Sequence, residues 1–507
     1  MATIDDLYGY SAQLDGAKDK ISQHTDVYKS ILKGFEGTSN EKRLSSQLAA
    51  KYFKHFTQFA EETLESMFDL CEDSDVTVRK QAIKDLTVIC KVTSKNCQKV
   101  ADILVQLLQS SDNLEVSLVQ MSLMSLLRLD TKATLAGVFG QIMLGDEVVR
   151  EKAISFLVTK CKVMVSEEIL SKDGAEEFLI TQSKKVMEDV TGEEFVSFMK
   201  VLSSLPSLSS LQGRQQLLDI IADQIDLNAK VDVTDPDNLN CLMQCVEQAS
   251  HLFSKNVHSN RFVQHMCLNV MPQVNDKSMP ADMLLNVFKL LADMSVYCTS
   301  LNDADACVKC IYDHLITYMP QAPSNQTAGD TNNFPKFEFS YVECLMFAFH
   351  QLARLHRNFL TSDQHADRLK DFRARLQYFA RGVQAYIKSL KSAQPTDSNH
   401  DVKKLALKTT MNINTLIKDL FHNPPSYKAS ITLSYKEDAA ADQSDSNRQG
   451  LKRQAAPAVT TSSSSTSFSG VQSKRVRTEQ ARYAPPGGKF SRNPDLNRNV
   501  ASSRKAW

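Results

Sequence analysis

Few residue groupings in this chain have the types and spacing of reactive or metal-holding chemistry, and each lacks a necessary member. Cys307-Val308-Lys309-Cys310 offers the two thiols of half a zinc site, but no second pair or nearby histidine completes the four ligands that a structural zinc needs. His251, His258 and His265 recur every seven residues. On one helix successive members would stand about 10 Å apart, too far to share an ion. The other nine cysteines are scattered without a framework, as expected of reduced thiols rather than disulfides. A phosphate loop, HExxH, G-x-S-x-G and the kinase signatures are all missing from the sequence. The expectation is a protein that is no enzyme and holds no cofactor and no metal.

Charge is the chemistry that remains. Lys474-Arg475-Val476-Arg477 has the form of a nuclear import signal, with Lys452 and Arg453 as a smaller upstream cluster. Importin reads such clusters when they are extended and accessible, and they sit here in a neutral, serine-rich stretch. Tyr483 and Phe490 alternate with Arg482, Lys489 and Arg492. Bases could stack on the rings while cations meet phosphates, but two aromatics allow only weak RNA contact, and a plain solvated tail explains them more simply. Acidic residues gather at two places, Asp146, Glu147 and Glu151, then Glu188, Asp189, Glu193 and Glu194. Placed on one edge they would create a field that steers basic partners; as separate helix ends they would be merely solvated.

Leu369, Leu376, Val383 and Leu390 form a seven-residue ladder with Phe372, Phe379 and Tyr386 at companion positions. Three successive aromatics fit poorly into the seam of a two-stranded coiled coil, so the ladder reads as the buried stripe of a packed helix. The LxxLL spellings at Leu104–Leu108 and Leu123–Leu127 are likewise what burial of a helix face produces.

These residues need elements to position them, and a repeated helical frame supplies the elements. Asp75, Val78, Arg79, Ala82 and Leu86 recur as Asp146, Val149, Arg150, Ala153 and Leu157, 71 residues on. Two copies at that distance imply units of about 35 residues with a poorer copy between, the period of stacked helical hairpins. Each Asp is placed to cap a helix N-terminus. Val, Ala and Leu fall on one face, and each Arg can reach an acid at the turn of an adjacent repeat. A degenerate middle copy is read at Asp112, Leu118, Val119, Ser122 and Leu126, and an earlier one at Arg43, Ser46 and Ala50.

No proline precedes Pro206, and only 12 of the 16 glycines lie in the first 436 residues, which favours long helices throughout. The predicted class is all-α, an α-solenoid. Its first domain covers 1–206 and a less regular one covers 207–436, with a mobile loop at about 320–335. A tail at 437–507 is too poor in aliphatics to fold and is expected to be disordered. That tail carries 12 basic and 6 acidic residues, a net of +6, so in a chain of zero total charge the preceding part carries −6. No apolar run of about 18 residues exists to span a membrane, and the acidic start is not that of a secretory signal.

Five stretches carry a resemblance: Leu70–Leu86 (LCEDSDVTVRKQAIKDL), Ser183–Phe198 (SKKVMEDVTGEEFVSF), Phe253–Phe262 (FSKNVHSNRF), Arg375–Gly382 (RLQYFARG) and Asn412–Lys428 (NINTLIKDLFHNPPSYK). Together they resemble the apoptosis inhibitor 5 family over essentially residues 1–436. The resemblance implies HEAT-like repeats followed by an armadillo-like domain, and a nuclear location with some cytoplasmic protein. It also implies suppression of programmed cell death without catalysis. It further implies binding of the chromatin-condensation factor acinus through the region of Leu369, Leu376, Val383 and Leu390. A basic fibroblast growth factor would be held by acids that carry over to Glu147, Glu188, Asp189 and Glu194. The expected molecule is a monomeric nuclear scaffold. The alternative is a nuclear transport or mRNA-export adaptor whose tail touches RNA.

Overall fold

The computed structural model describes residues 2–227, 231–233, 235–274, 279–323, 334–362, 366–392 and 400–436. The basic clusters at Lys452, Arg453, Lys474, Arg475 and Arg477 lie outside them, as does the whole tail from 437, the segment 393–399 and most of the expected loop (324–333). The described residues form helices and contain no strand, only one isolated bridge between Ser254 and Val257. No helix among them is long and apolar enough to cross a membrane. The predicted all-α solenoid is what the chain forms.

Two compact units divide the described chain, the division falling at Ile220 inside one helix. The first holds α1 (Ile4–Gly16), α2 (Thr25–Leu32), α3 (Ser39–Tyr52), α4 (Ala60–Cys71), α5 (Val76–Val92), α6 (Cys97–Gln106) and α7 (Asn113–Leu129). It continues with α8 (Thr131–Leu144), α9 (Glu147–Ser166), α10 (Ala175–Val186), α11 (Gly192–Ser203), the short α12 (Pro206–Ser209) and the start of α13 (Leu211–Ile225). Helices alternate between two rows: α3 packs on α5 and α5 on α7, with α9 on α11, while α6 packs on α8 and α8 on α10.

Caps set the starts. Asp75, Asp112, Asp130 and Asp146 each accept backbone N–H groups of the first turn that follows, and Thr38 and Thr191 form capping boxes with Glu41 and Glu194. Val78 is 0 % and Val149 2 % exposed, and Ala82, Leu86, Ala153 and Leu157 are buried with them. The frame is therefore the packing stripe that its spacing predicts. In the earlier copy Ser46 and Ala50 are buried on α3, and the Ser46 hydroxyl donates to Asp85 of α5 at 2.6 Å. The LxxLL leucines Leu104, Leu107, Leu108, Leu123, Leu126 and Leu127 are all core.

Two readings need correction. The middle copy runs three residues earlier than its spelling suggests. With Asp112 as cap, the Val, Arg, Ala and Leu places are taken by Glu115, Val116, Val119 and Leu123, whereas Leu118 is only half-buried. The histidines do not share a helix either: α14 (Pro236–Ser250) ends before His251 and α15 (Asn260–His265) begins after His258, with a tight turn at Ser254–Val257 between. A chain reversal breaks the seven-residue spacing, leaving His251 and His258 exposed and His265 buried.

The second unit continues with α14, α15, α16 (Ala281–Ser295), α17 (Ala304–Thr317), α18 (Phe339–Ala353), α19 (Ala366–Ser392) and α20 (His400–Leu420). Here α14 packs on α16, α16 on α18 and α18 on α20, with α17 against α18 and α19 against α20. Its core is aromatic. Tyr312, Phe349, Phe359 and Phe372 pack ring against ring with centroids 5.5–6.1 Å apart.

Candidate functional site: an acidic edge organised by buried arginines

The frame arginines do not face water. The guanidinium of Arg79 lies in the core and makes a two-pronged ion pair with Glu115, Nε to Oε1 at 2.7 Å and Nη2 to Oε2 at 2.8 Å. Its third face donates to the Asp73 carbonyl at 2.9 Å, in the turn before its own helix, and Ser110 donates to the same Glu115 carboxylate. One side chain thus ties the entry of α5 to the entry of α7.

Arg150 repeats the device two helices further along the row. Nε and Nη2 meet Glu194 at 2.6 and 3.0 Å, Nη1 donates to the Ile142 carbonyl in the last turn of α8, and Nη2 also donates to the Asp189 carbonyl. In both cases the arginine is the fourth residue after a cap and the acid is the third residue after the cap of the next helix in the row, Asp112 to Glu115 and Thr191 to Glu194. The intervening step has valine at both places, Val116 and Val149. This alternation gives a physical reason for the strong frame to recur at 71 residues rather than at half that distance.

The consequence for function is geometric. Arg150 ties the α10–α11 turn, which carries Glu188 and Asp189, to the first turn of α9, which carries Glu147. All three are exposed, and so are Asp146, Glu151 and Glu193 beside them. Of the four acids predicted to meet a partner, Glu194 is placed differently. Its carboxylate is bonded by Arg150 and by the Thr191 N–H, and it organises the turn instead of projecting from it. Apolar surface adjoins the acids, for Leu144 is 85 % exposed two residues before Asp146, and Val148 is half exposed. An edge of several carboxylates around two aliphatic groups attracts a basic surface at long range and gives it something to dehydrate on contact. The attraction is screened over about 8 Å at physiological salt.

Sequence reasoning missed Glu115 as a charge partner, although an acid three residues after a cap was the available signal. On α19, Leu376 and Val383 are fully buried, Leu369 and Leu390 half-buried, and Phe372 and Phe379 buried against rings of neighbouring helices. The two middle rungs are therefore engaged within the unit, leaving only the ends of the ladder at the surface. Cys307 meets Cys267 rather than completing a site with Cys310, and no group of three or more potential metal ligands exists among the described residues.

The sequence profile of the apoptosis inhibitory protein 5 family matches residues 4–506. Apoptosis inhibitor 5 of Homo sapiens is 46% identical over 506 residues, covering 97% of this chain and 94% of that protein. Apoptosis inhibitor 5 of Gallus gallus is 45% identical over the same shares. The apoptosis inhibitor 5 homolog of Drosophila melanogaster is 37% identical over 524 residues, covering 97% of this chain and 93% of that protein. The chain belongs to the apoptosis inhibitory protein 5 family.

Proposed function

We propose that this protein is a non-catalytic nuclear scaffold that restrains programmed cell death by occupying protein partners along its stacked helices. The name of its relatives, apoptosis inhibitor 5, supports the cell-death reading. The observation that carries the mode of action is the Arg150 hub, which spends a buried cation on holding two acidic turns side by side. A basic fibroblast growth factor suits the edge of Glu147, Glu188 and Asp189, and acinus suits the α19 region, where Leu369 and Leu390 reach the surface. In this reading the first unit is HEAT-like and the second armadillo-like.

Glu188→Lys combined with Asp189→Lys is expected to weaken binding of a basic fibroblast growth factor about tenfold or more at low salt. Each lost exposed pairing is worth up to about 1 kcal/mol, and each reversal adds repulsion. The slope of log affinity against log salt should flatten together with the loss. Titration calorimetry across a salt series measures both, and an unchanged slope at unchanged affinity would eliminate the acidic edge as the docking surface.

Nuclear entry is assigned to Lys474, Arg475 and Arg477, with Lys452 and Arg453 in support. Alanine at the first three should leave a fluorescently tagged chain spread through the cell, whereas a signal that stays nuclear would place import elsewhere.

A further inference from the structure

After α20 ends at Leu420 the chain turns back, and residues 425–436 run without helix past α20, α18 and α16 in that order. Side chains of those helices hold the segment largely by its backbone. Asp419 accepts the N–H groups of Lys428 and Ala429 at 2.8 and 2.9 Å. Asn412 donates to the Thr432 carbonyl at 2.8 Å, Glu343 accepts the Ser434 N–H at 2.9 Å, and Lys408 donates to the Lys436 carbonyl at 2.8 Å. Specific side-chain contacts cluster at one end. Ser434 Oγ donates to Glu343 at 2.5 Å, Tyr435 OH donates to Asp293 at 2.8 Å, and Lys436 pairs with Asp293 at 2.8 Å. Tyr427 and Leu433 are buried as apolar anchors, while Lys428, Ser430, Thr432 and Lys436 face solvent.

Glu343 makes this more than a chain end packed down. It lies mid-helix in α18 and is 1 % exposed. Burying a carboxylate there costs several kcal/mol unless hydrogen bonds satisfy it, and the bonds come from Asn412 at 2.6 Å and from the segment itself. Three carboxylates on three helices packed side by side, Asp293 on α16, Glu343 on α18 and Asp419 on α20, plus one amide, match an extended backbone bearing hydroxyl and cationic side chains. Main-chain bonds of this kind supply affinity to any extended peptide, and pockets for alternate side chains supply selection.

We propose that the face across α16, α18 and α20 is a groove for an extended peptide, occupied in cis by residues 425–436. The partner that exchanges with this strap is another protein's segment of the same chemistry: an aliphatic residue in the place of Leu433, then a hydroxyl residue, an aromatic and a lysine. The groove lies in the second unit and is independent of the acidic edge.

The test uses the full chain carrying Leu433→Asp to release the strap, and a fluorescent peptide of residues 424–436 as probe. Anisotropy should show the released chain binding the peptide about tenfold or more tightly than wild type, and adding Glu343→Gln should remove most of that gain. A folded released chain that ignores the peptide, or binds a scrambled version equally well, overturns the proposal. A released chain that becomes a dimer in sedimentation assigns the groove to a second copy and overturns the partner named here. Should the variant not fold, hydrogen exchange on wild type decides. Amides of Lys428, Ala429 and Ser434 exchanging about tenfold or more faster than those of mid-α20 support a strap that opens on its own, and exchange only together with α20 overturns it.

Discussion

Glu115→Ala is expected to destabilise the first unit by about 3–5 kcal/mol, since it leaves a guanidinium in the core without its counter-charge. Arg79 is 1 % and Glu115 0 % exposed at the side chain, so water cannot replace the lost carboxylate. The Asp73 carbonyl, at 2.9 Å, and the more distant Ser74 carbonyl, at 3.5 Å, would stay on the cation without neutralising it, and Ser110 would lose its acceptor as well. Urea unfolding of the full chain followed by circular dichroism would show an earlier transition, and hydrogen exchange would locate it in α5 and α7. The double replacement Arg79→Met with Glu115→Leu is expected to recover most of the loss, because exchanging a buried pair for apolar groups of similar volume is often close to neutral. A single variant as stable as wild type would mean that the pair is hydrated and that the core placement of Arg79 is wrong. At the second hub Glu194 is 20 % exposed and part of Arg150's bonding goes to carbonyls, so Glu194→Ala should cost less. Its effect should appear instead at the edge, as a loosened turn at Glu188 and Asp189.

Phe372→Ala carries the other large effect, also about 3–5 kcal/mol, now in the second unit. The ring is fully buried with its centroid 5.5 Å from Tyr312 and 5.6 Å from Phe349, both of which pack in turn on Phe359. Truncation would open a cavity that the three remaining rings cannot collapse into without leaving their rotamers. The choice of residue separates two views of α19. If the seven-residue ladder were a dimer seam, changing Phe372 would alter sedimentation before stability. The burial of Leu376 and Val383 predicts the reverse, a lower unfolding midpoint with unchanged sedimentation. Leu390→Ala, at a half-buried rung, should disturb stability little and so serves as the control for partner binding near that end.

Much of this molecule was legible beforehand where the determining forces are local. Aspartate before a valine–alanine–leucine stripe announces a capped helix with a buried face, and α5 and α9 are such helices. The aromatic companions on α19 already argued for core rather than seam. Legibility failed where a turn or a stacking register intervened. His251, His258 and His265 keep helical spacing in the sequence, but the bridge at Ser254–Val257 reverses the chain between them. The middle repeat was misplaced by three residues because Glu115 and Val116 stand where the outer copies have valine and arginine. An apolar template does not accept a glutamate at a core position until its arginine is known.

The sequence by itself determined the helices, their caps and buried faces, and membership in a family of stacked-helix proteins, because periodicity and capping act within a few residues of each other. Only the tertiary structure decided which acids are spent inside and which stay exposed. Arg79 meets Glu115 across 36 residues and Arg150 meets Glu194 across 44. The strap crosses to Glu343 over 91. Such pairings depend on how one helix is seated on the next, and a carboxylate looks the same in the sequence whether it ends up in salt water or against a buried guanidinium.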